Sequence, residues 1–263
     1  MRRIAVTGIG LVSPLGGCVS EVSAAAQAGT SAIRSIQMPF ADRVLTPLAA
    51  PTPFNGAEHF EPAQLRMLDR VSQFAVVAAT RALADSGVDL EQWDRERAGV
   101  FVGTGHGASH TLDAGYRTIY GERSDRIMPL TVLMGMHNSP AAWIGSEMRL
   151  KGPNLTFSTA CSSSAVAIGE AWLRLTRGDI DLAIAGGAEA PLSLGALMAW
   201  STMRTLARVD PTHAPASCKP FSKNRSGMVL GEGAAFVVLE PWERAVERGA
   251  CIHGELIDRK SVV

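Results

Sequence analysis

The sequence predicts an α/β fold, a buried sheet covered by helices on both faces. Apolar strand-like runs alternate along the chain with segments of helical period. Glycines punctuate nearly every join between them. Hydrophobic residues make up 46% of 263 positions, enough for a sizeable core, yet no apolar run approaches the roughly 20 residues of a membrane span.

Arg3–Thr7 reads as the first strand, ended by Gly8 and Gly10, and Ser20–Ala28 as a short helix ended by Gly29. Residues 37–60 carry several prolines and no clear period, which predicts a surface loop. Pro62–Ser86 is the best helix: Leu65, Leu68, Val71, Ala75, Ala78, Ala79 and Leu83 recur at helical spacing, and Gly87 follows as a cap. Gly99–Val102 reads as a buried strand leading to a glycine-rich turn at Gly103, Gly105 and Gly107, then to helical stretches near 110–120 and 132–148.

Next comes strand Leu155–Thr159, a turn at Cys161 and an apolar helix to Leu175 closed by Gly178. Asp181–Ala185 is a buried strand ending in Gly186-Gly187. A helix near 193–203, a proline-containing loop at 209–225, a strand at Ala234–Leu239 after Gly231 and Gly233, a charged helix at 242–248 and a strand at Cys251–Ile257 complete the pass. Without a repeat, low-complexity tract or linker, the chain reads as one unit.

Lys and Arg (25) balance Asp and Glu (25), so no net field draws the chain to nucleic acid or an anionic membrane; local basic patches still allow an acidic protein partner. Cys18, Cys161, Cys218 and Cys251 form no C-x-x-C pair, which argues against a zinc site or redox dithiol. Four cysteines are too sparse for a disulfide scaffold and suit a reducing, cytoplasmic setting. Met1-Arg2-Arg3 before an apolar stretch looks like a signal peptide, but Thr7, Gly8, Gly10, Ser13 and Pro14 break that stretch.

The chemistry-bearing segment is Thr159-Ala160-Cys161-Ser162-Ser163-Ser164. A cysteine where a strand turns into a helix sits at the positive end of the helix dipole, which favours thiolate. The following serines are expected to satisfy free N–H groups of the first helical turn. The Cys161 backbone N–H is expected to face an oxyanion formed on its sulfur, where one such donor contributes about 3–4 kcal/mol in a transition state. Elsewhere in an α/β protein a cysteine is more often a small buried apolar residue, and the residues alone leave both readings open.

Thr159–Ser164 resembles the active-site motif of elongating β-ketoacyl synthases. Ile4–Gly16 resembles that family's opening strand and loop, Asp69–Gly87 its first long helix, Gly186-Gly187-Ala188-Glu189 its glycine-rich strand end, and Pro220–Leu239 the loop and strand that close its first half. The matches run in family order over residues 3–257. The resemblance implies a thiolase-like αβαβα sandwich of which this chain holds only the first of two halves. It implies Cys161 as nucleophile, accepting an acyl chain from acyl carrier protein and condensing it with malonyl-carrier protein, to give a 3-oxoacyl chain two carbons longer in fatty-acid or polyketide assembly. It implies no metal or redox cofactor, and a homodimer paired through strand 155–159. Leu112, after the glycine-rich turn, and Met228, at the place of an aromatic gate, are the residues it assigns to the acyl pocket. Core packing is the competing reading of both.

Ser158 and Ser222 stand where many relatives carry an acidic residue. The larger departure is that the family's two histidine motifs and its lysine do not occur; His59, His106, His110, His137, His213 and His253 lie in other contexts. The 263 residues alone are therefore expected to be inactive in condensation and, with half a sandwich exposed, poorly soluble. Residues 1–257 read as the N-terminal domain. Asp258–Val263 breaks the pattern and matches the translation of a common sequencing adapter, which predicts a non-native tail.

Gly8-x-Gly10 and Gly103-x-Gly105-x-Gly107 fail to complete a dinucleotide fingerprint, and Gly227–Gly233 lacks the Lys-Ser/Thr pair of a phosphate loop. His106 and His110 are spaced i, i+4 but lack the glutamate of a zinc helix. The alternatives are a non-catalytic chain-length subunit, which the presence of Cys161 opposes, a thiolase acting on coenzyme A thioesters, and a half-protein interaction module.

Overall fold

A computed structural model of the chain describes residues 2–36, 41–44 and 46–257. The tail assigned to 258–263 lies outside the described residues, as does part of the 37–60 loop. The elements are β1 (Ile4–Val12), α1 (Val19–Gln27), β2 (Arg34–Ser35), β3 (Leu48–Ala50), α2 (Pro62–Leu65), α3 (Arg70–Ser86), β4 (Ala98–Gly103), α4 (Ser109–Tyr116), α5 (Thr131–Gly135), α6 (Ser139–Glu147), β5 (Asn154–Phe157), α7 (Ser163–Arg177), β6 (Leu182–Glu189), α8 (Leu194–Thr202), β7 (Leu230–Gly231), β8 (Gly233–Pro241), α9 (Trp242–Glu247) and β9 (Gly254–Glu255).

Six strands form the main sheet in the order β5-β4-β6-β8-β1-β9. β5, β4 and β6 are parallel; β8 joins β6 antiparallel, and β1 joins β8 antiparallel. Side-chain alternation sends Val100, Val102, Leu182 and Ile184 to one face, where Phe74, Ala75, Ala78 and Ala82 of α3 and Ile144 of α6 cover them. Phe101, Ala183 and Ala185 point to the other face, under Ala167, Ala171 and Leu175 of α7. The sheet is thus covered on both sides, as the alternation of strands and helices predicts.

Four expectations need correction. β1 runs through Gly8 and Gly10 to Val12. A Cβ at Gly8 would lie 2.1 Å from the Ala82 carbonyl oxygen and one at Gly10 2.1 Å from that of Ala78, so these glycines let α3 lie on the strand. Gly186 and Gly187 likewise sit inside β6, which continues to Glu189. A Cβ at Gly186 would lie 2.1 Å from the Ala235 carbonyl oxygen. The helix predicted over 62–86 is broken: Asp69 has extended backbone and its carboxylate accepts from Val71 N, starting α3 afresh. Within the expected 37–60 loop, β3 pairs with β2 and β7 in a second sheet. Smaller differences are at the ends: β5 stops at Phe157, and the last strand shortens to Gly254–Glu255, flanked by bonds from His253 N and Leu256 N to β1. Gly87 and Gly178 cap α3 and α7 at φ +63° and +80°, in the left-handed region where glycine is favoured.

Candidate active site

Three parallel strands carry their carboxyl ends to one place. β5 leads through Ser158 and Thr159 into a single tight turn, Ala160–Ser162, from which α7 departs. The carboxyl ends of parallel strands are where open α/β sheets bind ligands. β4 and β6 end beneath the first turn of α7. A Cβ at Gly103 would be 2.3 Å from Ser163 C and Ser164 N, and one at Gly187 2.7 Å from Ser164 Cβ. Only glycine lets both strands reach the helix so closely.

Ala160 adopts φ +53°, a left-handed conformation that costs a residue with a Cβ roughly 1–2 kcal/mol. That turn puts Cys161 on the surface, exposed and free of any disulfide, before the N-terminus of a 15-residue helix. Among the described residues its backbone N–H has no protein acceptor, which leaves it available to an oxyanion on the sulfur.

The serines do not act as expected. Ser162 Oγ donates to the Thr159 carbonyl at 2.8 Å. Ser163 Oγ donates to the Ala160 carbonyl at 2.7 Å and accepts from Thr159 N at 2.8 Å. Both hydroxyls reach back across the turn, because the left-handed residue turns its neighbours' peptide groups toward them. They brace the turn that carries Cys161, and the N-cap residue Ser162 makes no side-chain cap bond.

A second loop borders the turn. Glu189, at the end of β6, accepts from Gly105 N at 3.0 Å and His106 N at 3.1 Å, and Thr104 Oγ1 donates to the same carboxylate. This clamp holds residues 104–106 so that the Cβ position of Gly105 is 3.8 Å from Ala160 Cα. Beyond it, Trp200 Nε1 of α8 donates to His106 Nε2 at 3.2 Å.

His110 points elsewhere. It lines a cleft of about 460 Å³ between α3 and α4 with Asp69, Thr111, Arg126 and Met134, and Cys161 does not line that cleft. Burial lowers the His110 pKa against the pull of the nearby Asp69 carboxylate. His106 and His110 therefore face different partners, and no group of three His, Cys, Asp or Glu among the described residues is placed to hold a metal. Leu112 packs toward Gly135 of α5, and Met228 is partly exposed, bridged to Leu206.

The N-terminal domain model of β-ketoacyl synthases matches residues 1–245. The chain belongs to the β-ketoacyl synthase family. A curated relative, 3-oxoacyl-[acyl-carrier-protein] synthase 2 of Staphylococcus aureus (strain COL), is 33% identical over 257 residues, covering 97% of this chain and 62% of its own length. A crystal structure of a β-ketoacyl synthase from Burkholderia phymatum STM815 superposes with a TM-score of 0.86 at 35% identity, over 97% of this chain and 63% of that one. A type II polyketide ketosynthase in complex with its acyl-carrier protein gives 0.86 at 25% identity, over 97% of this chain and 62% of that one. The chain thus spans a little under two thirds of these relatives, and its fold is the first half of the thiolase-like ketosynthase sandwich.

Sequence reasoning located Cys161 and the strand–turn–helix that carries it. It missed the work of Glu189, Ser163 and the His106–Trp200 pair. Glu189 was within reach, since Gly186-Gly187-Ala188-Glu189 stands out as a motif, but its partners lie 83–85 residues away.

Proposed function

We propose that Cys161 is the acyl-accepting nucleophile of a decarboxylating 3-oxoacyl synthase. The observation that carries this reading is the exposed thiol on a left-handed turn at the N-terminus of α7, where three parallel strands end. In the first step the Cys161 sulfur attacks the carbonyl carbon of an acyl thioester on acyl carrier protein. The new S–C bond forms, the carrier's C–S bond breaks, and the departing carrier thiolate takes up a proton. In the second step malonyl-carrier protein loses carbon dioxide, and the resulting carbanion equivalent attacks the Cys161 thioester. Cys161 leaves as thiolate, and a 3-oxoacyl chain two carbons longer remains on the carrier.

The first step needs a nucleophile and an oxyanion donor, both held by Cys161. The second also needs the histidine motifs that the family resemblance calls for and that these 263 residues do not contain, so condensation is assigned to the whole protein. Acyl carrier protein as partner is supported by the complex of the related ketosynthase with its own carrier. Pairing of two copies along β5 is supported by that strand's place at the sheet edge, hydrogen-bonded to β4 alone among the described residues. Leu112 and Met228 are assigned to the acyl pocket walls on the family resemblance, and residues 1–257 to the N-terminal domain. Four cysteines without a disulfide favour the cytoplasm; no helix of the described residues is long and apolar enough to cross a membrane.

The test is incubation of the intact natural protein with octanoyl-carrier protein, followed by peptide mass spectrometry. Octanoylation at Cys161, lost in Cys161→Ala, is the expected result. Labelling at another residue, or none, overturns the assignment.

A further inference from the structure

Glu189 is the last residue of β6, and three donors converge on its carboxylate. They are Thr104 Oγ1, Gly105 N at 3.0 Å and His106 N, the last at 3.1 Å to Oε1 and 3.0 Å to Oε2. Hydrogen bonds to a carboxylate are charge-assisted and roughly twice as strong as neutral ones. One side chain thus anchors the whole 104–106 segment to the sheet.

Thr104 passes that anchor on toward Cys161. It is fully packed, and its hydroxyl donates to Glu189 while accepting from Gly107 N at 3.2 Å. Its backbone N–H donates to the Phe157 carbonyl at 3.1 Å. Phe157 ends β5, and only Ser158, Thr159 and Ala160 lie between it and Cys161. A second contact runs beside this path: the Cβ position of Gly105 is 3.4 Å from Glu189 Oε2 and 3.8 Å from Ala160 Cα, so carboxylate and turn lie on either side of one residue. Ala160 holds φ +53°, a conformation that a residue with a Cβ leaves when its surroundings slacken.

We infer that Glu189 is a positioning residue for acyl transfer: through Thr104 and the Phe157 carbonyl it fixes the end of β5, and with it the turn that aims the Cys161 thiol and backbone N–H at the incoming thioester. This rests on Cys161 as the acyl acceptor. The transfer is the thiol–thioester exchange already written, and Glu189 neither gives nor takes a proton in it. Such an anchor acts on rate more than on affinity, because it sets where the sulfur stands when the carbonyl arrives, and a misplacement of about 1 Å can cost about a hundredfold.

The experiment follows acylation of Cys161 by octanoyl-carrier protein in the intact natural protein, read by mass spectrometry over a range of carrier concentrations. Glu189→Ala is expected to lower the maximal rate about tenfold or more and to leave the half-saturating concentration within about twofold. Glu189→Gln, which keeps one oxygen acceptor, restores part of the rate, and Thr104→Val, similar in shape but without the hydroxyl, loses part of it. Glu189→Ala with Thr104→Val is no slower than Glu189→Ala alone, because the two side chains act as one anchor. Gly10→Ala, destabilised between α3 and β1, keeps the maximal rate, which separates positioning from loss of stability. An unchanged maximal rate in Glu189→Ala, a loss that shows only in the half-saturating concentration, or a like loss in Gly10→Ala overturns the inference and leaves the nucleophile assignment standing. Should Glu189→Ala fail to fold, Glu189→Gln and Thr104→Val decide in the same way. No labelling of Cys161 in the wild type overturns both.

Discussion

Arg248 grips the Glu240 carboxylate, Nη2 to Oε1 at 2.6 Å and Nε to Oε2 at 3.0 Å. Glu240 has no solvent exposure and also accepts from Thr7 Oγ1 at 2.6 Å. Arg248 Nη2 donates further to the Ser86 carbonyl at 2.8 Å. One ion pair thus joins β8, β1, the end of α3 and the residue after α9. Removing one partner leaves a buried charge without compensation, which costs about 3–5 kcal/mol, whereas replacing both with apolar residues is often close to neutral. Arg248→Met is expected to lower stability by that amount in urea unfolding, and Arg248→Met with Glu240→Leu to recover most of it.

The glycines of β1 give a second test. A methyl at Gly10 would meet the Ala78 carbonyl at 2.1 Å and Ala82 N at 2.2 Å, all backbone, with no flexible side chain to yield. Gly10→Ala must push α3 off the strand and is expected to cost at least the 1–3 kcal/mol typical of an overpacked core. Gly29 is the comparison. Its φ is +66° but nothing lies within 4 Å of its Cβ position, so Gly29→Ala carries only left-handed strain of about 1–2 kcal/mol. Thermal unfolding of the two variants orders them; equal losses would show that the α3–β1 contact is slack.

The same residues show what a one-dimensional reading can and cannot reach. The α3 periodicity and its Gly87 stop are local, and both are legible because apolar spacing and a left-handed cap need only neighbouring residues. Gly8, Gly10, Gly186 and Gly187 look like strand ends, since a glycine that ends a strand and one that admits a neighbouring helix or strand are the same letter. The difference lies in Ala78, Ala82, Ser164 and Ala235, far along the chain. The strand, turn and helix around Cys161 are legible because they follow one another directly, while the choice of Cys161 as nucleophile rests on the family resemblance of Thr159–Ser164. The backward bonds of Ser162 and Ser163 depend on the left-handed φ of Ala160, which alanine gives no reason to expect. The contact that holds the His106 ring comes from Trp200, 94 residues away.

His110 gives the fold a pH dependence with a definite sign. Burial beside Leu68 and Met134 disfavours the imidazolium and lowers the folded-state pKa, against the opposing pull of Asp69, Glu232 and Asp113 and with the repulsion of Arg70. The unfolded chain, titrating near the ordinary 6.5, then binds a proton that the folded one does not. This contribution to stability is present above that value and is lost as pH falls through it toward the lowered folded pKa. Urea midpoints at successive pH values from neutral to mildly acid should drop less steeply in His110→Gln than in the wild type. Parallel curves would mean that His110 binds its proton alike in the folded and unfolded chain.

Ser163 tests whether the turn that carries Cys161 is held or merely folded. Its hydroxyl is buried and satisfies two backbone groups, accepting from Thr159 N at 2.8 Å and donating to the Ala160 carbonyl at 2.7 Å. Ser162, one residue earlier, is exposed and bonds the Thr159 carbonyl and hydroxyl, where water can replace it. Ser163→Ala leaves the part-buried Thr159 N–H without its partner, a penalty toward the lower end of about 1–3 kcal/mol. The left-handed Ala160 can relieve it by relaxing the turn, which carries the thiol away from the helix axis. Acylation of Cys161 in Ser163→Ala is therefore expected to slow about tenfold or more, by the same free energy. Ser162→Ala should stay within about twofold of the wild type, because its bonds face solvent. Equal rates in the two variants would show that the strand-to-helix join holds the thiol without the Ser163 brace.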